Sequence, residues 1–180
     1  SGTHGKTTTS SLLAWILEFA NFNPGVLIGG IPLNFGVSAR LGKSEFFIIE
    51  ADEYDTAFFD KRSKFVHYRP KTLIINNIEY DHADIFPDIA SIYRQFHHLV
   101  RCVPGTGSII VPSEDAGIRT VLEKGCWTSV ERFSLDQDYC GWNATSQKSD
   151  GSSFLLSDAN GKTVEIEWEL KGKHNLRNAI

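Results

Sequence analysis

A glycine-rich loop that leads directly into a helix constrains this chain more than any other feature of its sequence. Bare glycines expose backbone N–H groups, a helix N-terminus attracts anions, a lysine adds positive charge and a hydroxyl can bind magnesium. The segment therefore predicts a site for the phosphates of a nucleoside triphosphate. The predicted phosphate-binding residues are Gly2, Thr3, His4, Gly5, Lys6, Thr7 and Thr8.

The match to the general phosphate-loop pattern is partial. That pattern has a further glycine five positions before Gly5, which would precede Ser1. Chance Gly-Lys-Thr sequences also occur in exposed loops, so an ordinary surface loop is the alternative for these residues alone. Because the chain opens inside the motif without a preceding strand, we expect it to be a fragment of a longer protein.

The rest of the chain shows the pattern of an α/β fold. Apolar residues at helical spacing predict a helix over residues 7–20, followed by a turn. Two further helices are expected, one across residues 89–100 and one that Ser113 would cap and that would end near Lys124. Short, nearly continuous apolar runs between them are typical of parallel strands covered on both faces. These runs lie at residues 26–28, 46–49, 72–75 and 109–111. The order predicts a mostly parallel sheet flanked by helices.

The pattern changes beyond Trp127. Turn signals at residues 150–151 and 160–161 punctuate short segments, and residues 163–170 alternate between polar and apolar. This predicts a small antiparallel β-meander near the C-terminus, which we place in the same domain, residues 1–180.

Polar side chains follow two of the predicted strands. Residues 50–55 include four acids, and residues 76–84 include two asparagines, further acids and His82. Strand ends in open α/β sheets are common ligand sites, and clustered carboxylates repel each other unless a cation compensates them. Oxygen ligands beside phosphates suit Mg²⁺. The alternative for the acidic run is a solvated turn, and the other histidines are more simply structural or surface residues.

Two asparagines near the C-terminus, Asn175 and Asn178, present both a donor and an acceptor, as an adenine edge requires. Taken alone, asparagines at these positions are more often helix caps or turn residues. They indicate a nucleotide site only in combination with the segments above.

Composition argues against several classes of partner. With 18 basic and 22 acidic residues the net charge is -4, so a surface for nucleic acid or an anionic membrane is not expected. No apolar run approaches the roughly 20 residues of a membrane span and no signal peptide is recognisable, so we expect a soluble, cytoplasmic protein. The three cysteines are odd in number and lack zinc-site spacing, which predicts buried free thiols.

Taken in this order, the four segments resemble the Mur ligase family, whose members join amino acids or peptides to UDP-N-acetylmuramate. The resemblance runs from Gly2 to Ala179 and implies a P-loop NTPase-like fold. In that family a GTxGKT loop binds ATP phosphates, a glutamate after the acidic strand and a histidine of an N-x-E-x-D-H segment hold magnesium, and G-x-H-N-x-x-N-A meets adenine. This implies catalytic roles for Lys6, Glu50 and His82, magnesium binding by Thr7, Glu50 and His82, and adenine contacts from Asn175 and Asn178.

The finer resemblance points to two branches of the family. Residues 36–42 and the Glu-Ala-Asp-Glu core are similar to the branch that includes UDP-N-acetylmuramate–L-alanine ligase. The insert at residues 56–70 and the segment 82–87 are similar to the branch that uses the murein tripeptide. This implies ATP-dependent joining of L-Ala-γ-D-Glu-meso-diaminopimelate to UDP-N-acetylmuramate through an acyl phosphate, in peptidoglycan recycling. The alternatives are the L-alanine ligase, a folylpolyglutamate synthase relative or a nucleotide-dependent switch protein.

Some family features are not found in this sequence. Several members carry a carbamylated lysine on the helix after the magnesium histidine, whereas residues 93–98 contain no lysine, so we predict no carbamate. Full-length members also have an N-terminal UDP-binding domain and a C-terminal domain that carries much of the amine site. The resemblance implies that this chain is the central, ATP-binding domain of such a three-domain enzyme.

Overall fold

Helix α1 begins where the glycine-rich loop ends. The computed structural model describes residues 1–81 and 85–180, and α1 spans Lys6–Phe19, within one residue of the predicted range at each end. Gly5 has a φ of 80°, a left-handed conformation that glycine adopts without strain, and it turns the chain into the helix. The helix is followed by a tight turn in which Asn21 has a φ of 64°.

A small sheet lies against α1. It consists of β1 (Gly25–Leu27), β2 (Ala39–Arg40) and β3 (Phe47–Ile49), in the order β2-β1-β3. β1 pairs with β3 in parallel and with β2 antiparallel. Ala14 of α1 packs on Val26, Ile28 and Ile48, so the apolar face of the helix covers this sheet. The insert that follows forms a hairpin of β4 (Asp55–Ala57) and β5 (Asp60–Ser63), then a 3₁₀ helix, Lys64–His67.

The larger sheet has six strands in the order β11-β10-β9-β8-β7-β6. Pairing is parallel from β6 to β9 and antiparallel from β9 to β11, so the parallel runs and the C-terminal meander of the sequence prediction are both confirmed. The strands are β6 (Thr72–Ile74), β7 (Ser108–Pro112), β8 (Ser129–Ser134), β9 (Trp142–Ser146), β10 (Ser153–Ser157) and β11 (Thr163–Glu167).

The parallel strands are divided between two sheets, whereas the sequence pattern predicts one. Residues 1–3, and not β3, lie along the free edge of β6. The amino group of Ser1 donates to the Ile74 carbonyl at 2.7 Å, and the Asn76 N–H donates to the Ser1 carbonyl at 3.0 Å. The Thr3 N–H continues the contact by donating to the Asn77 carbonyl at 3.1 Å. The glycine-rich loop is therefore placed at the carboxyl end of β6.

Three more helices pack on the larger sheet or its meander: α2 (Ile89–Cys102), α3 (Ala116–Glu123) and α4 (Lys173–Ala179). The predicted cap of α3 is wrong. The Asp115 carboxylate, not the Ser113 hydroxyl, accepts the Ile118 N–H at 2.8 Å, because Asp115 directly precedes the first turn. Ser113 donates instead to the neighbouring Glu114.

The core follows this layering. The largest cluster lies between the parallel strands and α2 and α3, where the fully buried rings of Phe65 and Phe96 have centroids 5.4 Å apart. A separate cluster of Ala144, Phe154 and Leu176 joins the meander to α4. Because α4 also contacts α1, the meander holds α4 beside the glycine-rich loop.

No helix in residues 1–81 and 85–180 is long and apolar enough to cross a membrane. The three cysteines are free, but their expected burial is wrong: Cys102 and Cys126 are half-buried and Cys140 is exposed. Cys102 is the last residue of α2 and Cys126 follows α3, so these thiols lie at helix ends rather than in the core.

α4 approaches the loop so closely that a side chain at Gly5 has no space. A Cβ there would lie 2.4 Å from Oδ1 of Asn178. That oxygen accepts a hydrogen bond from Asn76 Nδ2 at 3.3 Å, and Asn178 Nδ2 donates to Asn175 Oδ1 at 3.5 Å. Glycine is thus required at position 5 both because the backbone is left-handed there and because Asn178 leaves no space for a side chain.

Gly5→Ala should lower the free energy of unfolding more than Gly161→Ala does. Gly161 has a φ of 77°, close to the 80° of Gly5, but nothing lies within 4 Å of a Cβ there. Its substitution carries only the left-handed penalty, about 1–2 kcal/mol. Gly5→Ala also displaces Asn178, whose hydrogen bonds are worth about 0.5–1.5 kcal/mol each. Urea unfolding of both variants measures the difference, and equal losses would contradict the close packing.

Candidate functional site

The two asparagines after β6 hold the glycine-rich loop in place. The His4 N–H donates to Asn77 Oδ1 at 2.8 Å, and Asn77 Nδ2 donates to the His4 carbonyl at 3.1 Å. One side-chain amide thus pairs with both backbone groups of His4, as a neighbouring strand would. Asn76 Nδ2 donates to Thr9 Oγ1 at 2.7 Å, which ties the first turns of α1 to the same segment. Both asparagines are buried, so water competes little for these bonds.

The Thr3 hydroxyl belongs to this support. The Glu79 N–H donates to Thr3 Oγ1 at 2.9 Å, and that hydroxyl lies 3.3 Å from the Glu79 carbonyl, to which it donates. Thr3 is buried. The sequence places Thr3 and Thr8 among the phosphate-binding residues. In the structure the Thr3 side chain is turned toward Glu79, in the segment after β6. Thr8 lies in the first turn of α1, where the neighbouring Thr9 contacts Asn76.

The Lys6 side chain extends to the acidic segment after β3. Its Nζ lies 3.1 and 3.3 Å from the carboxylate oxygens of Glu53, and it donates to the Thr3 carbonyl at 3.3 Å. The side chains of Lys6 and Glu53 are only 14% and 3% exposed. Burial raises the pKa of the Glu53 carboxyl, and the Lys6 ammonium opposes that rise by favouring the charged form. The ion pair therefore compensates two charges in a place with little water.

The pairing of Glu53 with Lys6 is not predicted by the sequence pattern. The residue belongs to the acidic run that the sequence singles out, but 47 positions separate it from Lys6, and no periodic pattern connects them. The sequence gives one indication of a second role for this segment: it contains more carboxylates than the single one predicted to bind magnesium. The structure shows that one of these carboxylates pairs with the lysine of the loop.

Thr7 and Glu50, two of the predicted magnesium ligands, lie in contact. Thr7 Oγ1 donates to Glu50 Oε1 at 2.8 Å, and the Gly29 N–H donates to Glu50 Oε2 at 2.7 Å. This geometry explains the glycine after β1, since a Cβ at Gly29 would lie 3.2 Å from Oε2. A hydroxyl and an accessible carboxylate side by side are oxygen donors that suit Mg²⁺. The residues present therefore fit the metal.

His82, the third predicted magnesium ligand, lies outside the described residues 1–81 and 85–180. Its convergence with Glu50 stays a prediction. The segment that leads to it follows β6 and runs beneath the loop through Asn77 and Glu79. Within the described ranges, no group of three or more His, Cys, Asp or Glu side chains is arranged to hold a metal ion.

A cleft of about 260 Å³ opens between the loop and α4. Asn178 lines it, together with His4 and Gly5 of the loop, so the predicted adenine contact and the predicted phosphate contacts share one cavity. Asn175 lies one turn earlier in α4 and donates to the Lys171 carbonyl at 2.8 Å. Its Oδ1 accepts from Asn178 Nδ2, so it supports Asn178 from behind. The remaining lining residues are Asn77, His174 and Arg177.

A larger cavity of about 520 Å³ lies elsewhere, between the insert and α2. Its lining includes Arg62, Arg69 and His98, and none of the residues that the sequence assigns to a ligand. Size therefore does not identify the site. The smaller cleft is the candidate because the glycine-rich loop, the amide side chains and the Lys6–Glu53 and Thr7–Glu50 pairs meet beside it.

Comparison with known sequences identifies the family of this chain. A family model for the Mur ligase middle domain matches residues 1–180. The chain is 52% identical to a UDP-N-acetylmuramate–L-alanyl-γ-D-glutamyl-meso-2,6-diaminoheptandioate ligase of Escherichia coli and 51% identical to the ligase of that name from Haemophilus influenzae. All of this chain aligns in both cases, and it spans 39% of the length of each relative.

Solved structures agree with the sequence comparison. A UDP-N-acetylmuramate:L-alanyl-γ-D-glutamyl-meso-diaminopimelate ligase from Neisseria meningitides superposes with a TM-score of 0.88 at 55% identity, covering 98% of this chain and 56% of that one. A murein peptide ligase from Psychrobacter arcticus gives a TM-score of 0.86 at 45% identity, covering 98% of this chain and 40% of that one. The mixed α/β fold with its mostly parallel sheet is shared with them. The chain belongs to the Mur ligase family and corresponds to that family's middle domain.

Proposed function

We propose that the enzyme containing this chain joins L-Ala-γ-D-Glu-meso-diaminopimelate to UDP-N-acetylmuramate at the expense of ATP. The observation that carries the proposal is the 52% identity, along the whole chain, to a ligase named for these substrates. A UDP-N-acetylmuramate–L-alanine ligase reaches 31% identity, which favours the tripeptide over L-alanine. The reaction would return recycled peptide to cell-wall synthesis, and we place it in the cytoplasm, where ATP and the UDP-sugar are found.

The proposed reaction has two transfers. A carboxylate oxygen of UDP-N-acetylmuramate attacks the γ-phosphorus of ATP, and the bond to ADP breaks. The amine of the tripeptide then attacks the carbonyl carbon of the acyl phosphate, a proton is released and phosphate leaves. Neither transfer needs a protein nucleophile, so the chain contributes charge and position.

The described geometry suggests how those contributions are divided. The backbone N–H groups of the loop and the Lys6 ammonium would face the phosphates, where negative charge moves during the transfer. Thr7 and Glu50 would hold Mg²⁺, with His82 as the ligand that the resemblance adds. When bound, Mg²⁺ supplies positive charge to the phosphate oxygens. Lys6, Glu50 and His82 are therefore the proposed catalytic residues.

The cleft beside α4 is the proposed adenine site. Asn178 lines it and offers a donor and an acceptor, and Gly5 forms its boundary with the loop. Adenine in this cleft would leave the phosphates to extend across the N-terminus of α1 toward Glu50. Asn175 would act through Asn178, whose orientation it supports.

We also propose that the chain works as the central domain of a three-domain enzyme. It spans 39% of its curated relatives, and the family resemblance implies a flanking domain for the UDP group and another for the amine. Nucleic acid and membranes are not proposed as partners, since a net charge of -4 provides no basic excess.

One assay separates the candidate functions. Full-length enzyme would receive ATP, Mg²⁺ and UDP-N-acetylmuramate with either tripeptide or L-alanine, and products would be identified by mass. Tripeptide-dependent product supports the proposal, and L-alanine-dependent product supports the L-alanine ligase. ATP hydrolysis without either product would support a nucleotide-dependent switch protein.

Lys6→Ala in the full-length enzyme should abolish ATP-dependent product formation while the fold is kept. The phosphates would lose the charge of the lysine. Loss of the buried Lys6–Glu53 ion pair should lower the free energy of unfolding, but no apolar side chain is removed from the core. Lys148→Ala is the matched control, because Lys148 pairs with Glu167 on the meander. Ligase assays and circular dichroism decide the outcome. Residual activity above about a tenth, a loss of only about 1.4 kcal/mol of barrier, would contradict the proposed role.

The 180-residue chain expressed alone should bind nucleotide weakly and form no amide. The proposed partners of the reaction, the UDP-sugar and the amine, would not be aligned with the acyl phosphate without the flanking domains. Alignment can be worth about 7–11 kcal/mol, so its loss leaves essentially no turnover. Phosphate release and product mass are measured beside the full-length enzyme. Tripeptide-dependent product from the chain alone would contradict the proposal that the flanking domains are needed to align the substrates.

A further inference from the structure

Two basic segments, one mostly in the insert and one in α2, have no part in the proposed function. Residues 61–71 contain five lysines or arginines and one histidine, and residues 94–101 contain two arginines and two histidines. Neither segment contains an acid, although the chain as a whole has a net charge of -4. The 3₁₀ helix Lys64–His67 contacts α2, so the fold brings the two basic segments together.

The larger cavity, of about 520 Å³, opens between these segments. Four of its six lining side chains are basic, three on the insert and one on α2, and none is acidic. The lining consists of Arg62, Val66, His67, Arg69, His98 and Cys102. The volume is within the roughly 300–1,000 Å³ of small-molecule sites and is more than a single phosphate ion fills.

This cavity lies at the opposite end of the larger sheet from the glycine-rich loop. Arg69 shortly precedes β6, which begins at Thr72, and Cys102 ends α2 before β7 begins at Ser108. Because β6 and β7 are parallel, their amino ends lie at the same end of the sheet. The loop is held beyond the carboxyl end of β6, where His4 pairs with Asn77. The cavity is therefore separate from the proposed nucleotide site.

Arg69 offers an uncompensated positive charge to the cavity. It makes no ion pair within residues 1–81 and 85–180. Its φ of 46° is left-handed, a conformation that is uncommon for a residue other than glycine and persists only where the surrounding structure holds it. Arg101 lies in the last turn of α2 and complements the helix dipole, but Arg69 lies outside that helix, so the dipole does not account for it.

A single carboxylate beside the cavity compensates part of the remaining charge. Asp60 accepts from Arg62 Nε at 2.9 Å and from Arg62 Nη2 at 2.7 Å, and its Oδ2 lies 3.1 Å from His67 Nε2. A guanidinium has five N–H donors, and Asp60 takes two of those of Arg62. The Arg62–Asp60 pair can therefore still donate to an oxyanion.

The electrostatic field on the α2 side is also positive. Burial lowers the pKa of the His98 imidazole, and the neighbouring His97, Arg101 and Arg94 lower it further because they disfavour another positive charge. A bound anion would be attracted by these groups, whereas a bound cation would be repelled by them.

We propose that this cavity binds a small organic phosphate, with Arg69 as its main contact. The two guanidinium groups and the His98 ring can donate to phosphoryl oxygens, a geometry for which arginine is well suited. The remaining volume, beside Val66 and Cys102, holds the organic part of the ligand. This site goes beyond the proposed ligase function and does not depend on it.

The test is a titration of the full-length enzyme with glucose 6-phosphate in the absence of ATP, followed by broadening of the ³¹P resonance. The parent enzyme should broaden the resonance in a saturable manner. Arg69→Asn should weaken binding about fivefold or more, because a charge-assisted hydrogen bond is lost. Asparagine tolerates the left-handed conformation, so this variant removes the charge without added strain.

Two control variants accompany it. Arg119→Gln removes one positive charge from an exposed position on α3, outside the cavity lining, and should bind within about twofold of the parent enzyme. Lys6→Ala should also bind within about twofold, because the loop lies at the other end of the sheet. His98→Ala removes a donor from the lining and should weaken binding too. It replaces Arg69→Asn if thermal unfolding shows that the latter does not fold.

The proposal is overturned if the parent enzyme gives no saturable broadening, or if Arg69→Asn binds as tightly as Arg119→Gln. Weakened binding in Lys6→Ala alone would place the phosphate at the loop and would also overturn it. Inorganic phosphate is titrated in parallel, and an equal or tighter response to this ion would contradict the assignment to an organic phosphate. None of these titrations involves ATP or amide formation, so their failure leaves the proposed function standing.

Discussion

The hydrogen bonds between the glycine-rich loop and the residues after β6 are the constraint on which the whole site depends. A loop with glycines at positions 2 and 5 has many backbone conformations, and fixing one of them costs conformational entropy. Asn77 offsets part of that cost by pairing with both backbone groups of His4, and Thr3 adds its bonds to Glu79. Because α1 starts at the end of this loop, the same bonds determine where Lys6 and Thr7 can reach.

Two carboxylates from one short segment consequently have different environments. Glu50 is accessible and, among the described residues, accepts from two neutral donors, the Thr7 hydroxyl and the Gly29 N–H, so its charge remains available to a cation. Glu53 is buried, and a buried carboxylate is stable in its charged form only with a partner of opposite charge. Lys6 is one such partner. The acidic run that follows β3 therefore contains a candidate ligand and a counter-ion three residues apart.

Local pattern predicted the elements of this fold well, and long-range contacts account for what it missed. The continuous apolar runs identify β1, β3, β6 and β7, and helical spacing identifies α1 and α2, because burial on defined faces leaves a periodic signal. The division into two sheets depends on residues 1–3 lying along β6, which no periodicity reports. The same holds for the site. Sequence motifs predict the loop and Glu50, whereas the hydrogen bonds between Asn77 and His4 and the pairing of Glu53 with Lys6 are seen only in the structure.

The arrangement also determines how a ligand can enter. Lys6 already pairs with Glu53, and Glu50 already accepts from Thr7 and Gly29. Binding at these groups therefore exchanges internal partners for ligand partners and does not simply add contacts. Each exchange returns less free energy than a new contact would, because the bond to Glu53 or Thr7 is lost. In return, the Lys6–Glu53 pair keeps two buried charges compensated, and breaking a buried pair costs on the order of 3–5 kcal/mol. A site built in this way should favour ligands that supply charge to both members of each pair that they separate.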